Sequence, residues 1–576
     1  MARRFRQVLL TSGCILMASL VAGCGGGGGG GSSSGGGTGT GGGGSGGGGG
    51  GSGSASPTYT PGVFEPSSNF VDRCAMPRPG TSDRSGSIVL ENFWLRSWSN
   101  ELYLWYDEIQ DRNPYNYNDN LDYFELLKTN ELTPSGAPKD QFHFTYDTAE
   151  YQQLVNSGAE VQYGAEFVIL RGAPPRDIRI AFVQAGSPAA NAGLARGTRI
   201  LAIDGVDVAN GSDVDTLNDG LFPSNAGESH TFRVRDLGSS TERNVTLTAQ
   251  TVAVNPVQQS SVLDVNGDKV GYLHLTTFGV VTAEEQLIDA MTQFSNEGVT
   301  DLVVDLRYNG GGFLDISAEL GYMIAGPDQI GNAFYEELVF NDKYPNTNPV
   351  TGEALTPTPF HSTSQGFSVN QGQPLPDLDL ERVYFLSQSG TCSASESVIN
   401  ALRGIDVEVV LVGGTTCGKP YGFYGTDNCG TTYFSIQFRG ENAKGFGDYA
   451  DGFIPVTGTP TRQSEIQGCV VGDDFGHLLG DPDEAMLRAA LNYRATGSCS
   501  GVATTMSASA RLAPQTVEDP QLFMAGSDRY NTLDPNSLYA SEAVRERLRR
   551  NLVRDMTLNR PLSDADIESL RKEELE

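Results

Sequence analysis

The chain is short of positive charge. Its 576 residues hold 39 Lys+Arg against 70 Asp+Glu, a formal net charge of −31. A surface this acidic repels phosphate and lacks the cationic excess that drives counterion release, so nucleic acid is excluded as a partner. Metal-ligand patterns are also missing: there is no CxxC, and none of the five His residues stands near a Cys. No cofactor or metal is expected. Beyond the N-terminus no apolar run reaches roughly 18 residues, so nothing else should span a bilayer. Apolar residues at 38% and aromatics at 9% still suffice for sizeable cores and exclude wholesale disorder.

The first segment is an address. Arg3, Arg4 and Arg6 precede an apolar stretch from Val8 to Ala22, too short to be a stable span. It ends in Val21-Ala22-Gly23-Cys24, which resembles a bacterial lipobox. That resemblance implies residues 1–23 as signal peptide and lipidation at Cys24. Gly25 follows Cys24, which by resemblance to lipoprotein sorting leans toward the outer membrane, facing the periplasm. Residues 24–56 then form a tether, in which 22 of the 72 Gly lie between 25 and 54. Such a coil has an r.m.s. span of roughly 30 Å. Its GxGxxG matches carry no meaning, since no strand precedes them. Six further cysteines remain in the exported part: Cys74, Cys392, Cys417, Cys429, Cys469 and Cys499. An even number fits up to three disulfides, with Cys417–Cys429 as the first expectation.

Residues 57–155 read as an N-terminal helical cap, with Phe93, Leu95, Trp98, Leu102, Leu104, Trp105 and Ile109 near helical spacing over 88–155 and the pattern repeated at 121–128. Residues 156–252 change to short β-like runs around "GSPAANAGLARGTRILAIDGVDV". Residues 261–499 open on a hairpin turning at Asn266-Gly267. Asp264, Asn266 and Asp268 imitate half a calcium loop, but the twelfth-position acid is absent and the turn reading prevails. A helix follows, its start marked by a Thr282/Glu285 capping box and its end by Gly298. Strand, helix, strand alternation through "TDLVVDLR", "RVYFLSQSG" and "VEVVLVGG" means a layered α/β core. Residues 500–576 read as a tail, with short helices at Ser541–Met556 and after Ser563, capped with Asp566.

Three loops each follow a strand of that core. "DLRYNGGG" (Asp305 to Gly312) leaves bare backbone amides able to hold an oxyanion. "SGTCSASES" (Ser389 to Ser397) puts Ser hydroxyls at a helix N-terminus, where plain N-capping by Ser393 or Ser395 is the bland alternative. "TTCGKPYG" (Thr415 to Gly422) fixes Lys419 in a turn between Gly418 and Pro420. Strand-end loops of one parallel sheet converge at one edge. A nucleophile, an amine and an oxyanion cradle therefore meet there, and a Lys serves as base when desolvation keeps it neutral.

The order "GYLHL… DLRYNGGG… SGTCSASE… GTTCGKP… DGFIPV… LGDPDEAMLRAAL" resembles the carboxyl-terminal processing (tail-specific) serine proteases, over roughly residues 88–495. The resemblance implies a crotonase/ClpP-like α/β catalytic core with an inserted β-rich PDZ domain. It implies Ser393 as nucleophile, Lys419 as base, and oxyanion donors from Ala394 and the Gly310–Gly311–Gly312 turn. It further implies peptide binding at the PDZ loop Tyr163, Gly164, Ala165, Glu166 and Phe167, by strand addition and capture of a terminal carboxylate. The partners would be protein or peptide substrates, unfolded chains or C-terminal tails, with the membrane met only through Cys24.

Two departures stand out. Lys419 lies 26 residues after Ser393, one more than the resemblance leads one to expect. Phe423 occupies the position where many members carry an orienting Gln. They motivate a rival reading, a catalytically degenerate PDZ scaffold on a lipid anchor. An acyl-CoA enzyme on the same fold is a weaker rival, because no CoA-binding feature appears. Substrate identity and oligomeric state are not legible.

Overall fold

The computed structural model describes residues 56–149, 151–152 and 158–499. The expected signal peptide, the Cys24 lipidation site, the tether and the tail helices lie outside the described residues. The centre is a seven-stranded sheet in the order Val257–Val265, Asp268–Leu275, Asp301–Asp305, Arg382–Ser387, Glu408–Gly413, Glu465–Val470 and Ile454–Val456. The first two strands are an antiparallel hairpin, with Asn266 at φ 57° and Gly267 at φ 94° in its turn. Every later pairing is parallel.

Both faces of this sheet are covered, and its alternation shows how. Leu302, Val304, Val383 and Phe385 face a core shared with the helices Ala283–Glu297, Leu314–Ile330 and Ala394–Gly404. Val303, Tyr384, Val410 and Val412 face Met486, Ala489 and Ala490 of the helix Ala485–Thr496. Near-continuous apolar strands are what a two-sided parallel sheet requires. The expected capping box does not form. Thr282 is already helical in backbone and makes no side-chain cap bond. The Glu285 N–H instead takes Ser368 Oγ at 3.0 Å. Glu284 is occupied by the segment that crosses this helix, accepting from the N–H groups of Gln365, Gly366, Ser368 and Val369.

The β-rich domain is a separate sheet in the order Arg243–Thr248, Ser229–Arg235, Arg199–Ile203, Asp177–Val183 and Ala165–Arg171, with Val206–Asp207 paired to Arg199–Ile203. Ala165–Arg171 ends the row. Ser187 caps the short helix Pro188–Asn191 by accepting from the Ala190 N–H at 3.2 Å. The helix Val214–Leu221 closes the domain core through Leu217 and Leu221.

The N-terminal region is less helical than its spacing suggests. Among the described residues of this region, helix runs over Ile88–Leu102 and Asn120–Phe124 and again at 148–149 and 151–152, and Phe144–Asp147 is a strand paired with Thr431–Phe434. The chain leaves the first helix because Leu104 N–H bonds the Ile436 carbonyl of the core at 2.8 Å, and Pro114 then starts a single turn. The dense aromatics are core: Trp94, Trp98 and Phe124 pack on Tyr433. The disulfides differ from expectation as well. Cys429 pairs with Cys74, not Cys417; the other two bonds are Cys392–Cys417 and Cys469–Cys499. Cys429 sits in the turn between Thr426–Asn428 and Thr431–Phe434, against the strand Arg73–Cys74 of the N-terminal region. A long-range contact, invisible to local turn chemistry, therefore decides its partner.

One buried acid sets a pH dependence. Glu319 lies against Glu284, both accepting from the Gln365 N–H at 2.8 Å, and burial with the Glu284 charge pushes its carboxyl up to about 9. A folded value above the unfolded one means its stabilising contribution is whole below the unfolded pKa and is lost as pH rises toward 9. Glu319→Gln should therefore raise Tm by roughly 2–4 °C at pH 9 and far less at pH 5, measured by calorimetry at the two pH values.

Candidate active site

The three loops begin at adjacent strand ends. Asp305 is paired with Leu386, and Ser387 with Gly413. Parallel register thus delivers Gly312, Ser393 and Lys419 to one narrow cleft, lined also by Leu314, Glu336, Ala394 and Phe438. Ser393 is the residue immediately before the helix Ala394–Gly404, with φ 55° and ψ −116°. A non-glycine residue with positive φ at such a junction is uncommon and is held there by its surroundings. Its N–H donates to Glu396 Oε2 at 3.1 Å, and Cys392 N–H donates to the Asn309 carbonyl at 3.1 Å.

Lys419 is buried, and its Nζ has no hydrogen-bond partner among the described residues. It lies 4.1 Å from the Phe423 ring centroid and 5.1 Å from that of Phe142. Burial holds the amine well below its ordinary value, against the opposing pull of Glu396 and Asp140. Ser393 and Lys419 share the cleft without a hydrogen bond between them.

Glu396 is the organising group that motif reading missed. It accepts from Ser393 N–H, from Gly418 N–H at 2.9 Å, from Lys419 N–H at 2.8 Å and from Thr416 Oγ1. Burial raises its carboxyl to about 7, while those donors oppose the rise. Its place three residues after Ser393 was a legible signal, because an acid at that position reaches back to the residue before the helix. A second bridge, the Cys392–Cys417 disulfide, joins the same two loops with Cα atoms 5.2 Å apart. At the cleft's base Glu336 is also buried, its carboxyl raised to about 7, and accepts from Ser397 Oγ. A Cβ at position 440 would meet that carboxylate at 1.2 Å, so a side chain there would force Glu336 to move.

Of the expected oxyanion donors, Ala394 lines the cleft beside Ser393. In the glycine turn, Gly311 N–H is committed to Asn309 Oδ1 at 2.9 Å, and the residue lining the cleft is Gly312. Gly312 has φ 135°, and a Cβ there would strike the Gly279 backbone nitrogen at 2.1 Å. Gly310 is buried beside it. The turn is pinned from below: Arg307, fully buried, pairs with Asp305, Asp473 and Glu484. Tyr308 in the same turn bonds Asp473 and, at 3.0 Å, Arg196 of the β-rich domain. Arg196 in turn pairs with Asp473.

The expected peptide-binding residues form the entry to the outermost strand. Gly164, at φ 76°, fits tightly under Ser187, and its carbonyl takes the Gln184 N–H at 2.7 Å. Tyr163, Gly164 and Ala165 are buried, Glu166 and Phe167 half-buried, and Phe167 stacks on Phe232. One cluster, Cys392, Glu396 and Cys417, has metal-ligating side chains close together, but its two sulfurs are bonded to each other. It therefore does not fit a metal.

Comparison with known proteins agrees with this architecture. Residues 269–422 match the model for peptidase family S41, and residues 179–235 match the PDZ domain model. The chain is 31% identical over 240 residues to a carboxyl-terminal-processing protease of Picosynechococcus sp., covering 41% of this chain and 49% of the relative. It is 30% identical over 277 residues to a chloroplastic C-terminal processing peptidase of Tetradesmus obliquus, covering 46% of this chain and 50% of the relative. The chain spans about half the length of the curated relatives it matches. Among solved structures, a candidate S41 protease from Bacteroides fragilis superposes with a TM-score of 0.53 at 23% identity, over 70% of this chain and 97% of that one.

Glu396→Ala leaves buried N–H groups on both loops without an acceptor. It should lower stability by about 1–3 kcal/mol, read from a urea unfolding midpoint with an unchanged slope. Glu396→Gln, which keeps one acceptor oxygen, should lose less.

Proposed function

We propose that this chain, with an S41 peptidase core and a PDZ domain, is a serine endopeptidase in which Ser393 is the nucleophile and Lys419 the base. The observation that carries the reading is the dry, unpartnered Lys419 amine opening on the same cleft as Ser393. A neutral amine accepts the Ser393 proton as its hydroxyl attacks the peptide carbonyl. The developing oxyanion falls to the amides of Ala394 and the glycine turn, at the N-terminus of Ala394–Gly404. The ammonium so formed then protonates the leaving amine, and water hydrolyses the acyl-enzyme with Lys419 again as base. No cofactor enters any step. Substrates are protein chains, and the outermost strand Ala165–Arg171 offers an edge to which an extended C-terminal segment adds.

The pH dependence follows from the state required of Lys419. Activity needs the neutral amine, so kcat/KM rises with pH through the Lys419 pKa and levels off above it. Because burial lowers that pKa, the plateau should be reached well short of the ordinary lysine range. Ser393→Ala should abolish cleavage of an unfolded protein substrate. Lys419→Arg, which stays protonated, should cost roughly 10²–10⁴-fold in kcat. Equal cleavage by wild type and Ser393→Ala would leave the anchored PDZ scaffold as the reading. The absence of a Ser393–Lys419 hydrogen bond is the observation that favours that second reading.

We also propose that the enzyme is exported and held at a bacterial membrane, the outer membrane facing the periplasm, through a lipid at Cys24 with residues 24–56 as tether. Metabolic labelling with an alkynyl fatty acid should mark wild type and not Cys24→Ser, and the variant should move to the soluble fraction. Labelling that survives Cys24→Ser would refute the anchor.

A further inference from the structure

We propose that the Cys392–Cys417 disulfide is the positioning element of the Ser393–Lys419 pair, so that the oxidation state of these two cysteines sets the rate of catalysis. The inference rests on the reading above and concerns regulation of that same cleft. Cys392 directly precedes Ser393, and Cys417 stands two residues before Lys419. Among the described residues the bond is thus the only covalent tie, besides the chain itself, between the loops that carry the two groups. It also draws in the third loop, through Cys392 N–H on the Asn309 carbonyl, while Cys417 N–H takes the Thr391 carbonyl at 3.0 Å.

The need for such a strut is visible at the amine. Among the described residues nothing hydrogen-bonds to Lys419 Nζ, and Phe423 presents a ring rather than an orienting polar group. The amine is therefore placed by its backbone and by packing. Its backbone hangs from Glu396, whose Oε2 lies 3.3 Å from Cys417 Sγ. The packing is the apolar cluster of Tyr103, Phe142 and Phe423, of which Cys392 and Cys417 are themselves members. The disulfide fixes the loop spacing and forms part of the wall that keeps the amine dry. The other two disulfides touch neither loop: Cys74–Cys429 secures the N-terminal region, and Cys469–Cys499 the far strand and the end of the last helix.

Reduction reverses this arrangement. A dithiol reductant attacks at Cys417, the half-buried sulfur. The Cys392–Cys417 S–S bond breaks, two electrons and two protons pass to the cysteines, and the reductant leaves as its own disulfide. Two thiols need more room than one S–S bond, so the loops part and water reaches Nζ. The groups facing Lys419 are Glu396 from the following helix, Asp140 from the segment before Phe144–Asp147, held by Tyr103, and Glu336 at the cleft base, with Tyr421 and Tyr449 on the walls. Three carboxyl groups, with Lys128 acting on Asp140 and Arg439 on Tyr421 behind them, favour the ammonium once water is admitted. The base is then protonated at a pH where it was free.

The test uses the full chain, an unfolded protein substrate, and competitive amine labelling of Lys419 across pH, read by mass spectrometry, which needs no catalysis. Cys392→Ala/Cys417→Ala should lower kcat at least about tenfold with KM within about twofold. Its acid limb of kcat/KM and its Lys419 labelling curve should both move to higher pH by about one unit or more. Dithiothreitol should do the same to wild type and add nothing to the double variant. Cys469→Ala/Cys499→Ala, which removes a disulfide elsewhere, should leave the limb and the labelling curve in place. If the Cys392/Cys417 variant does not fold, reduced folded wild type supplies the same curves. An unmoved labelling curve with unchanged kcat would reduce the disulfide to a structural staple. A wild type that cleaves nothing would overturn the protease reading and with it the effect on rate, while the labelling curve would still decide whether the disulfide positions the Lys419 amine.

Discussion

The expulsion of water from the Lys419 amine is the constraint on which the remainder of the site depends. An ammonium in an apolar box is strongly disfavoured relative to an amine. The faces of Phe423 and Phe142 oppose this slightly, because aromatic rings attract cations, but such contacts are worth only about 0.5–2 kcal/mol. The nearby carboxylates would reverse the balance if they bonded Nζ. They do not, because their oxygens are occupied. Glu396 is taken by backbone donors and Thr416, and Asp140 by Tyr103 Oη–H and Phe142 N–H. The acids hold the backbone of the site and leave the side chain of Lys419 without a carboxylate partner, so burial lowers its pKa.

That economy of acceptors explains the architecture around it. A parallel sheet brings its strand ends to one edge, but it fixes backbone positions only at the last paired residues, Asp305, Ser387 and Gly413. Several residues of loop separate those points from Gly312, Ser393 and Lys419. Each loop therefore carries its own ties: the Arg307 ion-pair hub beneath the glycine turn, Glu396 between the other two, and the disulfide across them. The PDZ domain enters the same network through Arg196, which bonds Tyr308 and Asp473 together. The glycine turn is thus mechanically continuous with the domain whose outermost strand is Ala165–Arg171.

Much of this was readable from the chain, and the boundary is physical. Strands buried on both faces, as in "DLVVDLR" and "VEVVLVGG", announce themselves by composition, and the loops that follow them inherit a common edge from parallel pairing. The hairpin at Asn266-Gly267 is readable because both residues suit positive φ. What failed depended on contacts distant in sequence. The helical cap shortened because Leu104 and Phe144–Asp147 pair with the core rather than with their neighbours. The Thr282 cap was displaced by a crossing segment, and Cys429 found Cys74 at a separation of 355 residues. Glu396 was missed for another reason: a helix N-terminal acid is so common that its spacing alone does not reveal that it also holds the Lys419 loop.

Phe423 shows how a departure from pattern becomes a constraint elsewhere. A polar side chain at that position would orient the amine by accepting or donating a hydrogen bond, and would also bring polarity into the box. A phenyl ring removes that polarity and strengthens desolvation, but it gives no direction to a flexible side chain with several rotatable bonds. Direction must then come from the backbone, and a backbone in a turn between Gly418 and Pro420 is only as fixed as its anchors. Glu396 supplies two hydrogen bonds to that stretch of chain, each reversible and each open to water if the loop parts. A covalent bond to the residue before Ser393 is not. The replacement of an orienting group by a ring and the presence of a disulfide across the two loops are in this sense one feature: the amine is kept drier, and the geometry lost with the hydrogen bond is restored through the chain.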